Sequence, residues 1–580
     1  MKTNLLSISK LSIMLFMAFI TAALTGCVSE VANENDENGD KNSVVVRDGI
    51  VFSDETNSTR TSIGTTGLFY WETGDQIWVD ENKDGTFSLR SNDSELATDK
   101  RTANFYFWGK SFKKGSYDLT YTGNGSSSGT SVTIKADQSQ TVPNDSAHIG
   151  TSGDCATATA TQQPNGNYKF TLNHKAHYLI FQPYKPDVVT DGWRLMSIEI
   201  IDADGKAICG TYPFGMGGLD QTNATNTQSQ VTLTLGGTDG YLLPNYTAWN
   251  SSKGSWYAVI APDPAGTSRN LKIKYTIKPT GGANYIEGSY EEKETTFSII
   301  KDLPSISSAP NKVTRIRHEL SATSYPTSLY YMWDAAEGEY YWKGVANPPT
   351  VYGSSATGYA MAPTDARWYN INAFQYFGSN PDPRGPFSAE RSCKDLPNIN
   401  AMMWYVKYGD PRWDEYYPWC LDGDYAHIYN RGAWFLKWNE IPGKPEGSTA
   451  ATCATSPVDG KDYRRFGNGP LFADGSNSST DYQTKGRPSP GELGKYFFLP
   501  ALGIIEDGRL SPEYGVRGAY WSSSTYSHYY KNIPNNSQVH VGAYLLDFTS
   551  QSAVVYVYND SIGLYGFANK GLVVAPDWFQ

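Results

Sequence analysis

The sequence predicts a mainly β fold, with antiparallel sandwiches over the first large region of the chain. Three observations predict it. The 580 residues include 55 Gly and 31 Pro, and 14% are aromatic, a composition typical of strands joined by turns. Short apolar runs alternate with polar turns from residue 44 to about residue 322. No helical apolar period of convincing length occurs there, so an antiparallel sandwich architecture fits.

The N-terminus has the pattern of a secretory signal. Lys2 and Lys10 precede an apolar run, Leu11–Leu24, which ends in the letters LTGC. A charged stretch, an apolar core and small residues at a cleavage point form such a signal, and the run is too short for a comfortable membrane span. LTGC resembles the lipobox of bacterial lipoproteins, which implies that residues 1–26 are removed and that Cys27 carries lipid. A plain signal peptide with a coincidental cysteine is the alternative.

After the signal, composition and charge limit what the chain can bind. Residues 27–43 are polar and acidic and predict a disordered tether. The net charge is -11 without a Lys/Arg cluster, which argues against nucleic acid as a partner. Five further cysteines, at positions 155, 209, 393, 420 and 453, lack metal-ligand spacing. Disulfide pairing among Cys393, Cys420 and Cys453 stays open for an exported protein.

Two motifs in the first large region suggest metal sites but are better explained without metal. The letters DENKDG from Asp80 begin like a calcium loop, but the twelfth position is Ser91 and the flanks are predicted strands, so a polar turn is expected. On one strand, His174 and His177 would lie on opposite faces, so we expect a core-edge His beside a solvated His. Farther on, MSIEII, DADGK and AICG predict a hairpin by their turn chemistry.

Three segments of the same region form a series: TRTSIGTTGLFYWETGDQIWV, then IKADQSQT followed by HIGT, then FTLNHKAHYLIF. In this order they resemble the signatures of the fimbrillin-type pilins and pilin-like lipoproteins of Gram-negative bacteria. The resemblance spans most of residues 44–310. It implies two transthyretin-like β-sandwich subdomains, over residues 44–185 and 186–322, with lipoprotein export and assembly by donor-strand exchange.

Donor-strand exchange implies that a protease cuts after an Arg and removes the first strand, and that a neighbouring subunit's C-terminal strand fills the groove. The groove then has unpaired backbone groups and an apolar floor, and an extended peptide satisfies both. Val44–Val46 and Arg47 form a short apolar strand ending in Arg, and NSTR ends at Arg60. Arg47 and Arg60 are therefore candidate cleavage points. An uncut edge strand with an ordinary surface Arg is the open alternative.

The region 325–580 has a different character, rich in Trp, Tyr, Gly and Asp. The stretch WYVKYGDPRWDEYYPWCLDGDY and the stretch RGAYWSSSTYSHYYKNIPNNSQ at 517–538 have neither a two-residue nor a 3.6-residue apolar period. Both therefore predict irregular segments. GAYLLDF and SAVVYVY predict two adjacent strands near the end of the chain.

A second series of phrases occurs in this region: Phe498-Leu-Pro500, Gly518-x-Tyr-Trp-Ser-Ser523, Ala543-Tyr-Leu-Leu-x-Phe548 and Val573-Val574. It resembles the C-type-lectin-fold domains of bacterial surface proteins, which include major-paralogous-type domains, variable proteins of diversity-generating retroelements and the related formylglycine-generating enzymes. The resemblance is strongest over 496–576. It implies an α+β C-type-lectin-like domain over 325–580, with a solvent-facing patch on its last strands and loops. Trp521 would seat a turn, and Leu546 and Phe548 would point into the core.

The predicted ligand-binding patch is rich in Tyr, Asn and His. Tyr offers a large contact area at low side-chain entropy, and Asn and Ser offer adaptable hydrogen bonds. The candidates are Tyr526, His528, Tyr529, Tyr530, Asn532, Asn535, Asn536, His540, Tyr556, Tyr558, Asn559, Asp560 and Tyr565. Alternatively, Tyr556 and Tyr558 only cover a hydrophobic edge. Adenine-directed mutation of Asn codons leaves the same residue set, so diversification by a retroelement is a hypothesis for this segment.

No catalytic motif was found, so the sequence predicts no enzyme, no cofactor and no metal. Formylglycine generation needs a late pair of cysteines, but no Cys follows Cys453. Trp438-Asn439-Glu440 lacks the partner motif of calcium-dependent lectins, and Ser522–Ser524 lack a Gly-x-Ser-x-Gly elbow. A cryptic carbohydrate-active enzyme stays a third hypothesis, because carboxylates are plentiful.

Together these patterns predict a cell-surface adhesin of the bacterial outer membrane, anchored by lipid on Cys27 and incorporated into a fimbrium by strand exchange with other fimbrial subunits. The C-terminal lectin-like domain replaces the usual donor strand and ends the chain, which predicts a tip position. Its expected ligand is a glycan or protein on a host or microbial surface. The alternative is a lipidated surface glycan-binding protein that does not polymerise and keeps its N-terminal strand.

Overall fold

The fold is mainly β, with 40% strand and 7% helix, which confirms the predicted class. The computed structural model describes residues 49–54, 62–63, 69–186, 192–236, 239–245, 248–249, 254–279, 286–287, 293–294, 296–373, 388–425, 427–465, 486–511, 513–529, 539–557 and 568–579. Cys27, Arg47 and Arg60 lie outside these ranges, as do the predicted signal and tether. In the part of the chain so described, no helix combines the length and apolar character that crossing a membrane requires.

The first described strand lies inside a nine-stranded sheet. The elements in chain order are β1 (Ile50–Asp54), β2 (Ser62–Ile63), β3 (Phe69–Tyr70), β4 (Trp78–Val79), β5 (Leu89–Arg90), β6 (Asp93–Leu96), β7 (Ala103–Phe107), β8 (Ser116–Tyr121), β9 (Ser131–Ile134), β10 (Asp137–Gln140), α1 (His148–Ser152), β11 (Ala156–Gln162), β12 (Tyr168–Phe170) and β13 (Asn173–His174). The strand order is β5-β4-β8-β11-β12-β1-β7-β6, and β13 pairs with β11. Phe52, Trp71 and Tyr168 are fully buried in the aromatic cluster of this sheet.

The middle of the chain builds several sheets around a second hydrophobic cluster. Its strands are β14 (His177–Phe181), β15 (Trp193–Asp202), β16 (Cys209–Gly215), β17 (Gly218–Leu219), β18 (Thr225–Gln228), β19 (Gln230–Leu235), β20 (Tyr241–Leu242), β21 (Trp256–Ile260), β22 (Ser268–Pro279), β23 (Ile286–Glu287), β24 (Lys293–Glu294), β25 (Phe297–Ser307) and β26 (Lys312–Ile316). One sheet has the order β10-β19-β15-β22-β25, and another has the order β21-β14-β26. Apolar residues of both sheets share one core.

The predicted hairpin between MSIEII and AICG is wrong. Its DADGK turn forms, with Gly205 at φ 74°, but the flanking strands join different sheets. β15 pairs with β19, β20 and β22, whereas β16 pairs with β9, β17 and β18. The Asp202 carboxylate accepts hydrogen bonds from the N–H groups of Asp204 and Lys206 and forms an ion pair with Arg269 on β22. Turn chemistry is local, whereas pairing with distant strands decided which sheet each strand joined.

The expectation that one of the two histidines is solvated is also wrong, because both are buried. His174 ends β13 and His177 begins β14, so the pair does not share one strand. His174 Nδ1 lies 2.8 Å from an Asp154 carboxylate oxygen. His177 Nδ1 lies 3.0 Å from the Ser308 hydroxyl, and its Nε2 lies 2.8 Å from another hydroxyl, that of Thr314. Each imidazole is therefore a hydrogen-bonded core group.

The C-terminal region has a third hydrophobic cluster and contains the longer helix. Its elements are β27 (Thr323–Tyr325), β28 (Tyr330–Tyr331), α2 (Ile399–Tyr408), β29 (Arg412–Asp414), β30 (Trp419–Leu421), β31 (Gly432–Leu436), β32 (Tyr496–Pro500), β33 (Ile505–Glu506), β34 (Arg509–Leu510), β35 (Arg517–Tyr529), β36 (Val539–Thr549), β37 (Ala553–Val557) and β38 (Leu572–Val573), with 3₁₀ turns at Thr327–Leu329, Ile371–Ala373, Trp438–Glu440, Leu493–Lys495 and Pro576–Phe579. The main sheet has the order β28-β38-β35-β36-β37. As predicted, β36 and β37 are adjacent.

Parts of two segments predicted to be irregular are regular. WYVKY belongs to α2, which begins at an Asn398 cap whose side chain accepts a hydrogen bond from Ala401 N–H. The helical period appears when the stretch is read from Ile399, since Met402, Met403 and Val406 follow at helical spacing. The segment from Arg517 is β35. It shows no alternation because residues 518–525 are all buried and the pairing register shifts between Trp521 and Thr525.

The C-terminal region packs directly on the middle of the chain. Cys420 of β30 and Ile428 belong to the second hydrophobic cluster. The Trp193 indole N–H donates to the Tyr425 carbonyl, and the Lys185 ammonium lies 4.8 Å from the centre of the Tyr425 ring. The five described cysteines are all buried and unpaired, so the disulfides left open by the sequence do not form.

Candidate strand-exchange slot and ligand-binding hairpin

β1 lies between two strands and pairs with both. It runs antiparallel to β7, with Phe52 opposite Phe105, and parallel to β12, with Phe52 opposite Tyr168. Because both of its edges are paired, loss of β1 would expose backbone N–H and C=O groups along β7 and β12 together. We call the space that β1 occupies between these two strands the β1 slot.

The Phe52 side chain anchors β1 in the slot. It is fully buried, and its ring is stacked on Tyr168 with ring centres 4.7 Å apart. The rings of Phe112 and Phe107 meet it edge to face at 4.9 and 5.0 Å. Burial of such a side chain contributes about 1.5–3 kcal/mol, so this one residue supplies much of the apolar affinity of the strand for its slot.

Polar side chains fix the register of β1. Asp54 is 1% exposed, and its carboxylate accepts a hydrogen bond of 3.0 Å from the Trp71 indole N–H. The Ser53 hydroxyl donates to the Asn104 side-chain oxygen at 2.7 Å. A one-residue slip of the strand would break both contacts and move Phe52 off the core face.

The position of β1 distinguishes the two predicted processing points. Arg47 precedes β1 and Arg60 follows it, so only a cut after Arg60 separates β1 from the rest of the chain. The exchangeable strand was predicted at Val44–Val46, which lies outside the described residues, and the strand that the structure shows is Ile50–Asp54. The period-2 placement of Ile50 and Phe52 is the sequence signal for it.

The β35–β36 hairpin brings together four of the predicted ligand-binding residues. His528 lies directly opposite His540, and Tyr529 lies opposite Val539. Tyr526 is two residues before His528 on the same strand. On the neighbouring strand β37, Tyr556 lies opposite Leu545. The other candidates lie outside the described residues: Tyr530, Asn532, Asn535, Asn536, Tyr558, Asn559, Asp560 and Tyr565.

The base of this hairpin is held by a run of buried serines, Ser522–Ser524. The Ser522 carbonyl accepts a hydrogen bond from the Trp333 indole N–H at 2.9 Å. The Ser524 hydroxyl accepts one from the N–H of Ile399, the first residue of α2, at 3.1 Å. Trp521 is 1% exposed, and its own indole N–H donates to the Tyr331 carbonyl. Within the bulge, the Ser522 hydroxyl donates to the Ser524 carbonyl at 3.3 Å and accepts from the Ser524 N–H at 3.1 Å, so a short polar side chain satisfies backbone groups that a regular ladder would pair.

An ion pair closes the same end of the hairpin. Arg517 on β35 donates from Nε to a carboxylate oxygen of Asp547 on β36, at 2.7 Å, and contacts Glu513 as well. Burial raises the pKa of Asp547, and the Arg517 guanidinium opposes that rise. Leu546 and Phe548, on either side of Asp547, are fully buried. These contacts tie the base of the hairpin to the hydrophobic core.

Across the described residues, no group of three or more His, Cys, Asp and Glu side chains is arranged to hold a metal ion. The calcium-like motif closes its own turn, because the Asp80 carboxylate accepts hydrogen bonds from the N–H groups of Asp84 at 3.0 Å and Gly85 at 2.8 Å.

No protein-family model matches the sequence, and no curated protein matches it. Among the similar solved structures are several from Bacteroides. A putative cell adhesion protein from Bacteroides ovatus ATCC 8483 is 13% identical, with 47% of this chain and 93% of that chain covered and a TM-score of 0.27. A putative cell adhesion protein from Bacteroides uniformis ATCC 8492 is 16% identical, with 47% of this chain and 92% of that chain covered and a TM-score of 0.27. A fimbrial protein from Bacteroides ovatus ATCC 8483 is 13% identical, with 49% of this chain and 53% of that chain covered and a TM-score of 0.20. At these scores the similarities assign neither function nor partner.

Proposed function

We propose that this protein is a lipid-anchored surface adhesin that enters a fimbrium by accepting a strand into its β1 slot. The observation that carries the proposal is the place of β1, which is paired on both edges and is followed in the chain by Arg60. A cut after Arg60 frees a short segment whose departure leaves two unpaired strand edges and an aromatic pocket. A strand from a neighbouring subunit restores the backbone bonds and fills the pocket left by Phe52.

The proposal includes the subdivision inferred from the resemblances, with transthyretin-like sandwiches over 44–185 and 186–322 and a C-type-lectin-like domain over 325–580. The presence of three hydrophobic clusters supports a division into three cores, because each domain needs its own core. The second cluster also takes in Phe69, Val132 and Ile134 of the first range and Cys420 and Ile428 of the third, so the proposed boundaries are not boundaries of the cores. The proposal also includes the lipid on Cys27 and the bacterial outer membrane as the site of attachment.

A tip position is part of the proposal, and the pairing of β26 supports it. This strand is paired in parallel with β14 inside its own sheet, and the chain then continues into β27, which pairs with β30 of the C-terminal region. A strand that is already paired with a neighbour, and whose following segment is paired in another sheet, is a poor donor for a second subunit. The subunit would therefore accept a strand without donating one, which ends a polymer.

The β35–β36 hairpin and the end of β37 form the proposed contact surface for a glycan or protein on another cell. The Tyr, His and Asn side chains predicted for binding would supply contact area and adaptable hydrogen bonds, and a base already held by buried contacts would reorganise little on binding. A pre-organised base lowers the entropy lost on binding.

The experiment is to purify fimbriae from cells expressing the wild type, Arg60→Ala or Arg47→Ala and to determine the N-terminus of the incorporated subunit. We expect a wild-type N-terminus at residue 61, loss of incorporation for Arg60→Ala, and normal incorporation for Arg47→Ala. Incorporated copies that still contain residues 50–54 would refute strand exchange. Antibody to the C-terminal region should label fimbrial ends, and labelling along the shaft would refute the tip position.

One observation favours a second candidate function. The intact β1 fills its slot completely, so the uncut chain needs no partner strand to complete the sheet. A lipidated surface glycan-binding protein that never polymerises would have this structure. In that case Arg60→Ala would leave surface display and ligand binding unchanged, and no fimbrial preparation would contain the protein.

A further inference from the structure

A cleft of about 560 Å³ lies between the middle of the chain and the C-terminal region. Lys272 of β22 and Asp302 of β25 line the cleft from the middle of the chain, and Trp413 and Tyr416 line it from the C-terminal region, together with Arg487 and the β36–β37 turn. The volume lies in the range of small-molecule sites, which often form where two packed regions meet. Neither region holds the cleft alone, so it is a composite site.

The charged groups of the cleft are mixed in sign and incompletely paired. Lys272 lies directly opposite Asp302 in the strand register, yet within the described part of the chain neither belongs to an ion pair. Arg487 also lines the cleft, and its positive charge opposes the rise in pKa that burial gives the Asp414 carboxyl. The cleft therefore presents both signs of charge on its walls.

Aromatic residues complete the C-terminal wall. Tyr416 is 36% exposed, and the Lys274 ammonium lies 5.8 Å from the centre of its ring. Trp413 is 7% exposed and donates its indole N–H to a Glu415 carboxylate oxygen at 3.3 Å. The partly exposed phenol ring offers an apolar surface next to charged hydrogen-bonding groups.

This combination selects the class of ligand. An acidic ligand would be repelled by Asp302 and Glu415, and a basic one by Lys272 and Arg487. A neutral polyhydroxyl ring avoids both penalties, because each hydroxyl donates to a carboxylate and accepts from a cation. One face of such a ring is apolar and suits Tyr416. We propose that this cleft binds a neutral saccharide, independently of the β35–β36 hairpin and of strand exchange.

The test uses the mature chain carrying Cys27→Ser, which removes the lipid anchor. Methyl glycosides of glucose, galactose, mannose and N-acetylglucosamine, and β-linked disaccharides of the same sugars, are titrated by calorimetry and by saturation-transfer NMR. We expect saturable binding of at least one, weakened about tenfold by Tyr416→Ala and by Asp302→Asn, since each change removes contacts that only the bound sugar makes.

Tyr408→Ala is the matched control, because Tyr408 is 40% exposed and also has a lysine, Lys407, 5.7 Å from its ring centre, but lies outside the cleft. It should bind like the wild type, and all variants should unfold at the same urea concentration. Three results would overturn the proposal: no saturable binding of any neutral sugar, unchanged binding by both cleft variants, or tighter binding of glucuronate than of the neutral sugars. Failure of strand exchange or of adhesion leaves these titrations unaffected.

Discussion

Arg269 and Asp202 form an ion pair in which both side chains are fully buried. The guanidinium lies 2.7 Å from the Asp202 carboxylate and also donates at 3.0 Å to the carbonyls of Ala207 and Pro262. At the residue scale, buried polar groups of this kind are the positions where a substitution lowers the stability of the fold most. Each was desolvated during folding, and each stays favourable only while its partners are in place.

Replacement of Arg269 tests this sensitivity. Arg269→Met leaves the Asp202 carboxylate buried without its cation, so we expect the free energy of unfolding in urea to fall by about 3–5 kcal/mol. The control Arg101→Met breaks an exposed pair with Asp99 and should change it by less than about 1 kcal/mol. Equal effects of the two changes would mean that Asp202 is solvated and not part of the core.

His177 makes stability depend on pH. Burial, together with Arg269 and Lys312 nearby, lowers its pKa to about 3. In the unfolded chain its pKa is near 6.5. Below pH 6.5 the unfolded state binds a proton at His177, whereas the folded state binds it only near pH 3. Stability is therefore lost as the pH falls through this window.

His177→Gln isolates this contribution from those of the carboxylates. The difference in unfolding free energy between wild type and His177→Gln should shrink by about 2.5 kcal/mol between pH 7.5 and pH 4.5, as two pH units at 1.36 kcal/mol per unit require. Urea titrations monitored by circular dichroism at both pH values measure it. A difference independent of pH would show that His177 titrates normally in the folded state.

The buried cysteines predict slow thiol chemistry. Burial raises the pKa of Cys209 to about 11 and that of Cys420 to about 12, and little thiolate forms at neutral pH. With the mature chain carrying Cys27→Ser, an aromatic disulfide reagent at pH 8 should modify fewer than one thiol in the native state and five after unfolding. Fast modification of the native chain, or fewer than five thiols when unfolded, would contradict the buried, unpaired state.

At the scale of elements, the edge of β21 is closed by side chains of β10. The Gln138 amide donates to the Val259 carbonyl at 2.7 Å and accepts from the Val259 N–H at 3.0 Å. Gln140 makes the same kind of contacts with the Ser255 carbonyl and the Tyr257 N–H. Two glutamines at alternate positions thus replace a neighbouring strand, so this edge is closed to strand addition in a way that the β1 slot is not.

Removal of one glutamine tests the role of this contact. Gln138→Leu leaves the N–H and C=O of Val259 buried without a partner, so we expect a loss of about 2–4 kcal/mol in unfolding free energy. It should also promote self-association through the open edge, seen by size-exclusion chromatography. The control is Gln163→Leu, because the hydrogen bond from the Gln163 side-chain amide to the Thr161 carbonyl is exposed to solvent. If the two variants behave alike, the glutamine contacts do not close the edge.

For the whole molecule, sequence patterns predicted the features that depend on residues close together in the chain. The β class and the adjacency of β36 and β37 followed from composition, alternation and turns. They failed where a segment is buried on both faces, as in β35, or where a distant strand decides pairing, as for β15 and β16. The cleft lined by Lys272 and Tyr416 could not be predicted from the sequence, because its walls come from segments more than 100 residues apart that only packing brings together.

The position of β1 leads to a prediction for the whole assembly. A chain that begins at residue 61 lacks β1 and should unfold at lower urea concentration than the intact chain, because β7 and β12 then have unpaired edges. A synthetic peptide of residues 48–54, DGIVFSD, should bind it and restore stability.

In calorimetry, the peptide with Phe52→Ala should bind at least about a hundredfold more weakly, since deletion of a buried Phe costs about 3–5 kcal/mol. The peptide with Ser53→Ala, which loses one hydrogen bond to Asn104, should lose only about fivefold. If the shortened chain were as stable as the intact one and ignored all three peptides, the slot would have closed on itself and could not accept a strand from another subunit.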